Sequence, residues 1–206
     1  MIPKVEFRYS SIYDEFHKGY LETYYKAYKN PKTKKLLNRY PSPKKIENYI
    51  NQVTPLWKKK EGKILSEIAK IMSLKWRHKI IRVYLVGKCI PFSDPLTMCI
   101  YENKNEFIDT LTHEMIHQIQ MQADDGRWIK WWLYLGKKYK GELRKTKSHI
   151  LLHAVHWKVY LILFNKKHLD SNIKKSSRNE SYRRSWEIVK KEGYQNIIDE
   201  FKRITK

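Results

Sequence analysis

Residues 109–120 read Asp-Thr-Leu-Thr-His-Glu-Met-Ile-His-Gln-Ile-Gln, and no other stretch of the chain carries as much chemical information. The segment has no glycine or proline, and its apolar residues recur at spacings of three and four, as in a helix packed on a core. On a helix, residues four apart lie one turn from each other on the same face. His113 and His117 can therefore direct two imidazole rings at one metal ion, with Glu114 beside them.

The order His-Glu-x-x-His over 113–117 is the H-E-x-x-H motif, in which the histidines bind zinc and the glutamate takes a proton from water. The competing interpretation is an amphipathic helix whose two histidines are only polar neighbours of the apolar stripe. These histidines interrupt an apolar helix instead of lying on a lysine-rich face. Because buried polar groups need partners, and a metal ion is a sufficient one, the sequence favours a metal site.

Catalytic zinc usually takes three protein ligands and leaves one position open for water. The extended pattern H-E-x-x-H-x-x-G-x-x-H does not apply, because Gln120 and Ala123 occupy its glycine and final histidine positions. A predicted helix over 147–167 carries three more histidines at offsets of four and three, all toward one side: His149, His153 and His156.

We take His153 as the predicted third ligand, since it is central in this set and Trp157 follows it by four residues. His149 and His156 stay open as alternatives, and a core helix with satisfied histidines is the interpretation without a metal. Carboxylates are the remaining alternatives: Glu180, Glu187 and Glu142.

The hydrophobic period changes upstream of the motif. Residues 79–87 are β-branched and partly alternating, which predicts a strand, and 96–101 predict a second one after a turn with two prolines. The sequence thus predicts an α+β fold, mostly helical and zincin-like, with a small antiparallel sheet next to the H-E-x-x-H helix. Asp124, Asp125 and Gly126 are expected to end that helix. Further helices are predicted at 10–29, 42–53, 56–74, 127–139, 182–191 and 195–204, with a break at Pro55 and a polar linker at 171–177.

Three regions are predicted along the chain. They are an N-terminal basic helical region (1–55), a metallopeptidase core (56–170) and a C-terminal basic helical extension (171–206).

The charge of the chain is strongly unbalanced. Lys and Arg number 43 against 21 acidic residues, for a formal net charge of +22, which favours polyanions, with nucleic acid first and an anionic membrane second. Adaptation for solubility is the plainer explanation. Basic stretches that could contact phosphates lie at 32–35, 58–60, 137–147, 174–178 and 183–184.

Cysteine usage and hydropathy limit the class of protein. Cys89 and Cys99 are the two cysteines, which excludes a disulfide framework and a cysteine-ligated zinc ribbon and fits a reducing compartment. The N-terminus lacks the apolar core of a signal peptide. The most apolar run, 150–164, is too short and too polar for a membrane span. We therefore expect a soluble, cytoplasmic protein.

The segment 111–117, followed by a helical His-x-x-x-Trp at 153–157, resembles the SprT-like metallopeptidases among the minimal zincins. The resemblance covers about residues 60–165. It implies that His113, His117 and His153 bind zinc, that Glu114 is the base, and that the substrates are proteins associated with DNA. Two features differ from the family pattern: a longer gap before His153, with a Trp-rich helix inserted, and no C-terminal zinc ribbon.

Two functions follow as expectations. The first is hydrolysis of peptide bonds in a protein or peptide substrate, through a zinc-bound water with Glu114 as general base. The alternative is a basic nucleic-acid-binding protein whose zinc site is structural or a relic. An open coordination position indicates catalysis, whereas four protein ligands indicate structure.

Overall fold

Helices dominate the computed structural model, which describes residues 1–123 and 126–206. The predicted α+β class is confirmed. The expected end of the motif helix at Asp124 and Asp125 lies outside the described residues. The elements in chain order are β1 (Lys4–Tyr9), α1 (Ser11–Tyr28), α2 (Pro31–Asn38), α3 (Pro43–Met72), β2 (Ile80–Val86), β3 (Phe92–Ser93), β4 (Leu96–Cys99), α4 (Lys104–Gln122), α5 (Arg127–Lys138), α6 (Arg144–Leu163), α7 (Lys166–Ser176), α8 (Glu180–Glu192) and α9 (Tyr194–Ile204).

The sheet has the order β1-β2-β4-β3 and is mixed, so the predicted antiparallel sheet is wrong. β2 lies between two parallel neighbours, β1 and β4, and only β3 runs antiparallel, against β4. An antiparallel sheet would have β2 and β4 paired across the proline-containing turn. The two-residue β3 uses that turn instead, which leaves the other edge of β4 for β2. Every residue of β4 is buried, as is usual for strands inside a parallel arrangement.

α3 runs through Pro55 without ending, so the predicted break there is wrong. Proline in a helix interior removes one hydrogen bond and costs about 3 kcal/mol. Val53 and Trp57 are both fully buried on either side of it. Burying two such side chains gains about 1.5–3 kcal/mol each, which is enough to offset the loss.

Contacts divide the chain into two compact units. One unit comprises 3–61 and 80–114, and contains the sheet. Within it, the buried carboxylate of Asp14 accepts hydrogen bonds from the Gly87 amide (2.7 Å) and from the Tyr40 hydroxyl (2.6 Å). Gly87 has to be a glycine there, because a Cβ would lie 2.5 Å from the ring of Tyr40. These bonds fix the start of α1 and the chain after α2 to the end of β2.

The other unit comprises 1–2, 62–79 and 115–206, and is helical. α6 packs against α7, α8 and α9, and is buried on almost every side. The predicted linker at 171–177 is wrong, because most of it belongs to α7, whose Leu169 and Ile173 are buried. α8 and α9 match the two predicted C-terminal helices. The three sequence regions proposed above stay a prediction.

Within the described ranges, no helix has both the length and the apolar character needed to cross a bilayer.

Candidate metal centre

The H-E-x-x-H motif lies inside α4, as predicted. Phe107, Leu111, Met115 and Ile119 are fully buried and fix one face of the helix in the core. The motif residues are carried near that face: His113 and His117 are half-buried, and Glu114 is only 5% exposed.

His149 joins the two motif histidines. One ligand nitrogen from each of His113, His117 and His149 can be chosen so that all three lie within 4.8 Å of one another. Nitrogen ligands around tetrahedral zinc are about 2.0–2.1 Å from the ion, and so about 3.4 Å apart. Small rotations of the half-buried motif histidines would close that difference. The donor set therefore fits a metal that prefers imidazole.

The ring of His149 is held in a defined orientation. Its Nδ1 lies 2.8 Å from the carbonyl oxygen of Lys145, one turn earlier in α6. A carbonyl can only accept, so Nδ1 carries the proton in this bond and Nε2 has the lone pair that a metal requires. The ring meets His117 edge-on, with centroids 5.1 Å apart, and packs on Tyr182 at 4.4 Å. Such a bond to the second nitrogen is typical of metal-ligating histidines.

His153, the predicted third ligand, is not a member of this group. Its Nδ1 is 2.9 Å from the hydroxyl of Ser185, and its ring stacks on Trp186 with a centroid distance of 3.9 Å. His156, in turn, packs edge-on against Tyr160. His149 and His153 are four residues apart, which corresponds to about 6 Å along the helix axis, so the two side chains contact different neighbours. The sequence could not tell which turn is level with the motif.

The carboxylate alternatives are all engaged in ion pairs elsewhere on the surface. Glu142 lies 2.7 Å from Arg184, which also pairs with Glu187 at 3.3 Å, and Glu180 lies 3.8 Å from Arg183. Among the residues that the structure describes, none of these three carboxylates belongs to the histidine group.

Burial sets the protonation of the site. It raises the pKa of Glu114 to about 7, against the opposing effect of the Ser93 hydroxyl, which donates to Oε2 at 2.6 Å. Burial also lowers the pKa of His117 to about 4 and that of His149 to about 3. Both imidazoles are therefore neutral at pH 7, which is the form that binds metals.

Sequence reasoning missed two neighbours of these residues, Ser93 and Tyr182. Ser93 lay in a segment interpreted only as a turn, and Tyr182 in a C-terminal region treated as an extension. Neither has a spacing relation to the motif, so no local pattern could have identified them.

Comparison with models of protein families, with curated proteins and with solved structures finds no match. The resemblance to SprT-like metallopeptidases therefore rests on the motif and its helical context alone.

Proposed function

We propose that this chain is a zinc-dependent metallopeptidase of the SprT-like, minimal zincin type. In this proposal His113, His117 and His149 bind the metal and Glu114 is the general base. The observation that supports it most is the third histidine. His149 comes from a different helix, yet it offers a nitrogen within 4.8 Å of those of the motif pair. A helix carrying the motif by chance would have no reason to meet such a partner.

The donor set favours zinc over other ions. Three neutral imidazoles with one position left for water are a common catalytic zinc arrangement, whereas structural sites are usually closed by four ligands, often thiolates. The group among the described residues has three members, and neither cysteine is one of them. Zinc in such a site acidifies water and polarises a carbonyl group.

The remaining chemistry belongs to Glu114. A base with a pKa near 7 accepts a proton from the attacking water and can release it again at neutral pH. We expect the same carboxyl group to pass that proton to the leaving amine. The Ser93 hydroxyl holds Oε2, so Oε1 is the oxygen assigned to the proton transfer.

Proteins or peptides are the proposed substrates, since the motif's glutamate and metal suit hydrolysis of an amide. That these substrates are associated with DNA is proposed from the resemblance and the net charge of +22. The alternative function, a nucleic-acid-binding protein with a structural zinc, would require a fourth protein ligand.

The test is Glu114→Gln, with Glu106→Gln on the same helix as the matched control. Zinc content by elemental analysis should be the same for all three proteins. Cleavage of a fluorescently labelled unfolded protein should fall by about 10²–10⁴-fold in Glu114→Gln alone, the usual contribution of a general base. Cleavage that survives Glu114→Gln, or wild-type protein that binds no zinc, would exclude the proposal.

A further inference from the structure

α1 exposes a row of large side chains along its whole length. These side chains recur every four residues, a spacing that normally indicates the face of a helix that packs on the core. Here the one buried residue of α1 is Asp14, and the members of the row are 38–81% exposed. We call this set the aromatic row, after its four rings, although it begins with an isoleucine: Ile12, Phe16, Tyr20, Tyr24 and Tyr28.

Positive charge is concentrated at the end of α1 and on α2, which packs against α1. Between Glu22 and Glu47 the sequence has no acidic residue, and it has eight basic ones, all of them exposed. α2 packs on α1, and the hydrogen bond from Tyr40 to Asp14 brings the chain after α2 back to the start of α1. The lysines of α2 therefore run alongside α1. The eight cations are Lys26, Lys29, Lys32, Lys34, Lys35, Arg39, Lys44 and Lys45.

The spacing of the row fits a strand with separated bases. Four residues advance about 6 Å along a helix and about 40° around it. When an aromatic ring stacks between two bases, the bases lie about two stacking distances of 3.4 Å apart, which is close to that advance. Tyr24 and Tyr28 differ from this spacing, because their rings pack on each other with centroids 4.7 Å apart and form one platform. A flat lipid surface would require side chains on one constant face, whereas this row winds around the helix. Tyrosine rings stack on bases of any sequence, because every base has a flat π face.

We propose that the aromatic row and the adjacent cations form a binding surface for single-stranded nucleic acid. Bases stack on Phe16, on Tyr20 and on the Tyr24–Tyr28 pair, while the lysines of α1 and α2 contact the phosphates. The surface lies outside the histidine group, so the inference goes beyond the proposed function and does not depend on it.

The aromatic contribution is tested with the full chain and a labelled 12-nucleotide oligothymidine, by fluorescence anisotropy. The variant Phe16→Ala/Tyr20→Ala/Tyr28→Ala should lose affinity by about 100-fold or more, from the known cost of removing rings that stack on bases. The matched control is Ile129→Ala/Leu133→Ala, which removes exposed apolar side chains from α5 and should bind like wild type. Since all five side chains are exposed, we expect unchanged melting temperatures.

The charge contribution is tested by Lys32→Gln/Lys34→Gln/Lys35→Gln. Each phosphate contact contributes about 0.7 to the slope of log K against log salt for a single strand. The variant should therefore lower the slope by about 2. The matched control neutralises three exposed lysines of the helical unit, Lys167, Lys190 and Lys191, and should leave the slope unchanged.

Several outcomes would overturn the proposal. They are an aromatic triple variant that binds like wild type, duplex DNA bound as tightly as the single strand, and binding to phosphatidylserine vesicles without binding to oligonucleotides. A parallel measurement with oligouridine shows whether the surface prefers RNA or DNA. Tight binding of either strand supports the proposal. The variant Glu114→Gln should bind the oligonucleotide like wild type. This result distinguishes a failure of the nucleic-acid proposal from a failure of the peptidase proposal.

Discussion

His149 and His153 lie one turn apart on α6, and both are almost completely buried. Burial lowers the pKa of both, so both are neutral at pH 7. Their neighbours differ. His149 lies close to His113 and His117, whereas His153 is hydrogen-bonded to Ser185 and stacks on Trp186. Residue type, burial and charge state therefore do not identify a metal ligand. Its neighbours from other helices do.

Removing each imidazole in turn tests the different roles of His149 and His153. His149→Ala should lower zinc affinity by more than about 100-fold, because even the loss of an outer partner of a ligand costs 10–100-fold. His153→Ala should retain zinc with wild-type affinity. Competition with a chromophoric zinc chelator measures both. Loss of zinc in His153→Ala and retention in His149→Ala would instead make His153 the third metal ligand.

His153→Ala should instead reduce stability. The substitution removes a buried ring stacked at 3.9 Å on Trp186 and leaves a cavity, for which we expect a loss of about 2 kcal/mol or more in the free energy of unfolding. Urea denaturation of the zinc-free proteins measures it. Equal stability of wild type and variant would contradict the structural role.

The free energy of unfolding should decrease in acid, because the buried histidines are neutral in the folded protein. Burial lowers the pKa of His156 to about 3, well below its ordinary value near 6.5. Between those two values the unfolded chain binds a proton that the folded chain does not, so stability falls as pH decreases from about 6.5 towards 3. Each such histidine contributes about 1.4 kcal/mol per pH unit.

His156→Leu should therefore give a shallower decline, measured from urea midpoints of the zinc-free protein at several pH values. A variant at exposed His78 serves as the control and should keep the wild-type slope. An unchanged slope in His156→Leu would show that this imidazole is protonated in the folded state.

The smallest expected effect concerns the hydroxyl next to His153. Ser185→Ala removes the hydrogen bond to Nδ1 at 2.9 Å and should cost about 1 kcal/mol of stability, with zinc affinity unchanged. Urea midpoints and the chelator competition test both statements. A fall in zinc affinity would mean that Ser185 acts through the metal group after all.

Local patterns predicted much of the fold. The bounds of α1 and β2 follow from a cap and from β-branched composition, and the structure agrees within a few residues. Apolar spacing places residues 109–120 on a helix, and they lie within α4. β1 was not predicted, because six residues with charges at alternate positions carry little signal until β2 lies beside them. The helix through Pro55 depends on burial of Val53 and Trp57, which propensity does not contain.

The candidate site divides in the same way. His113, Glu114 and His117 belong to one helical turn, so their arrangement could be derived from spacing alone. The choice among His149, His153 and His156 depends on tertiary packing. The aromatic row shows the opposite case: its spacing has the pattern of a buried face, and only the folded chain reveals that it is exposed.

Asp14 links the sheet to the part of the chain that carries the aromatic row. Its carboxylate holds the amide of Gly87 and the hydroxyl of Tyr40 at once, and Gly87 leaves no room for even a methyl group. A shortened protein starting after residue 39 would lose β1 and would leave the end of β2 without its partner. We therefore expect such a truncation to destabilise the sheet, whereas single substitutions in the aromatic row leave these bonds in place.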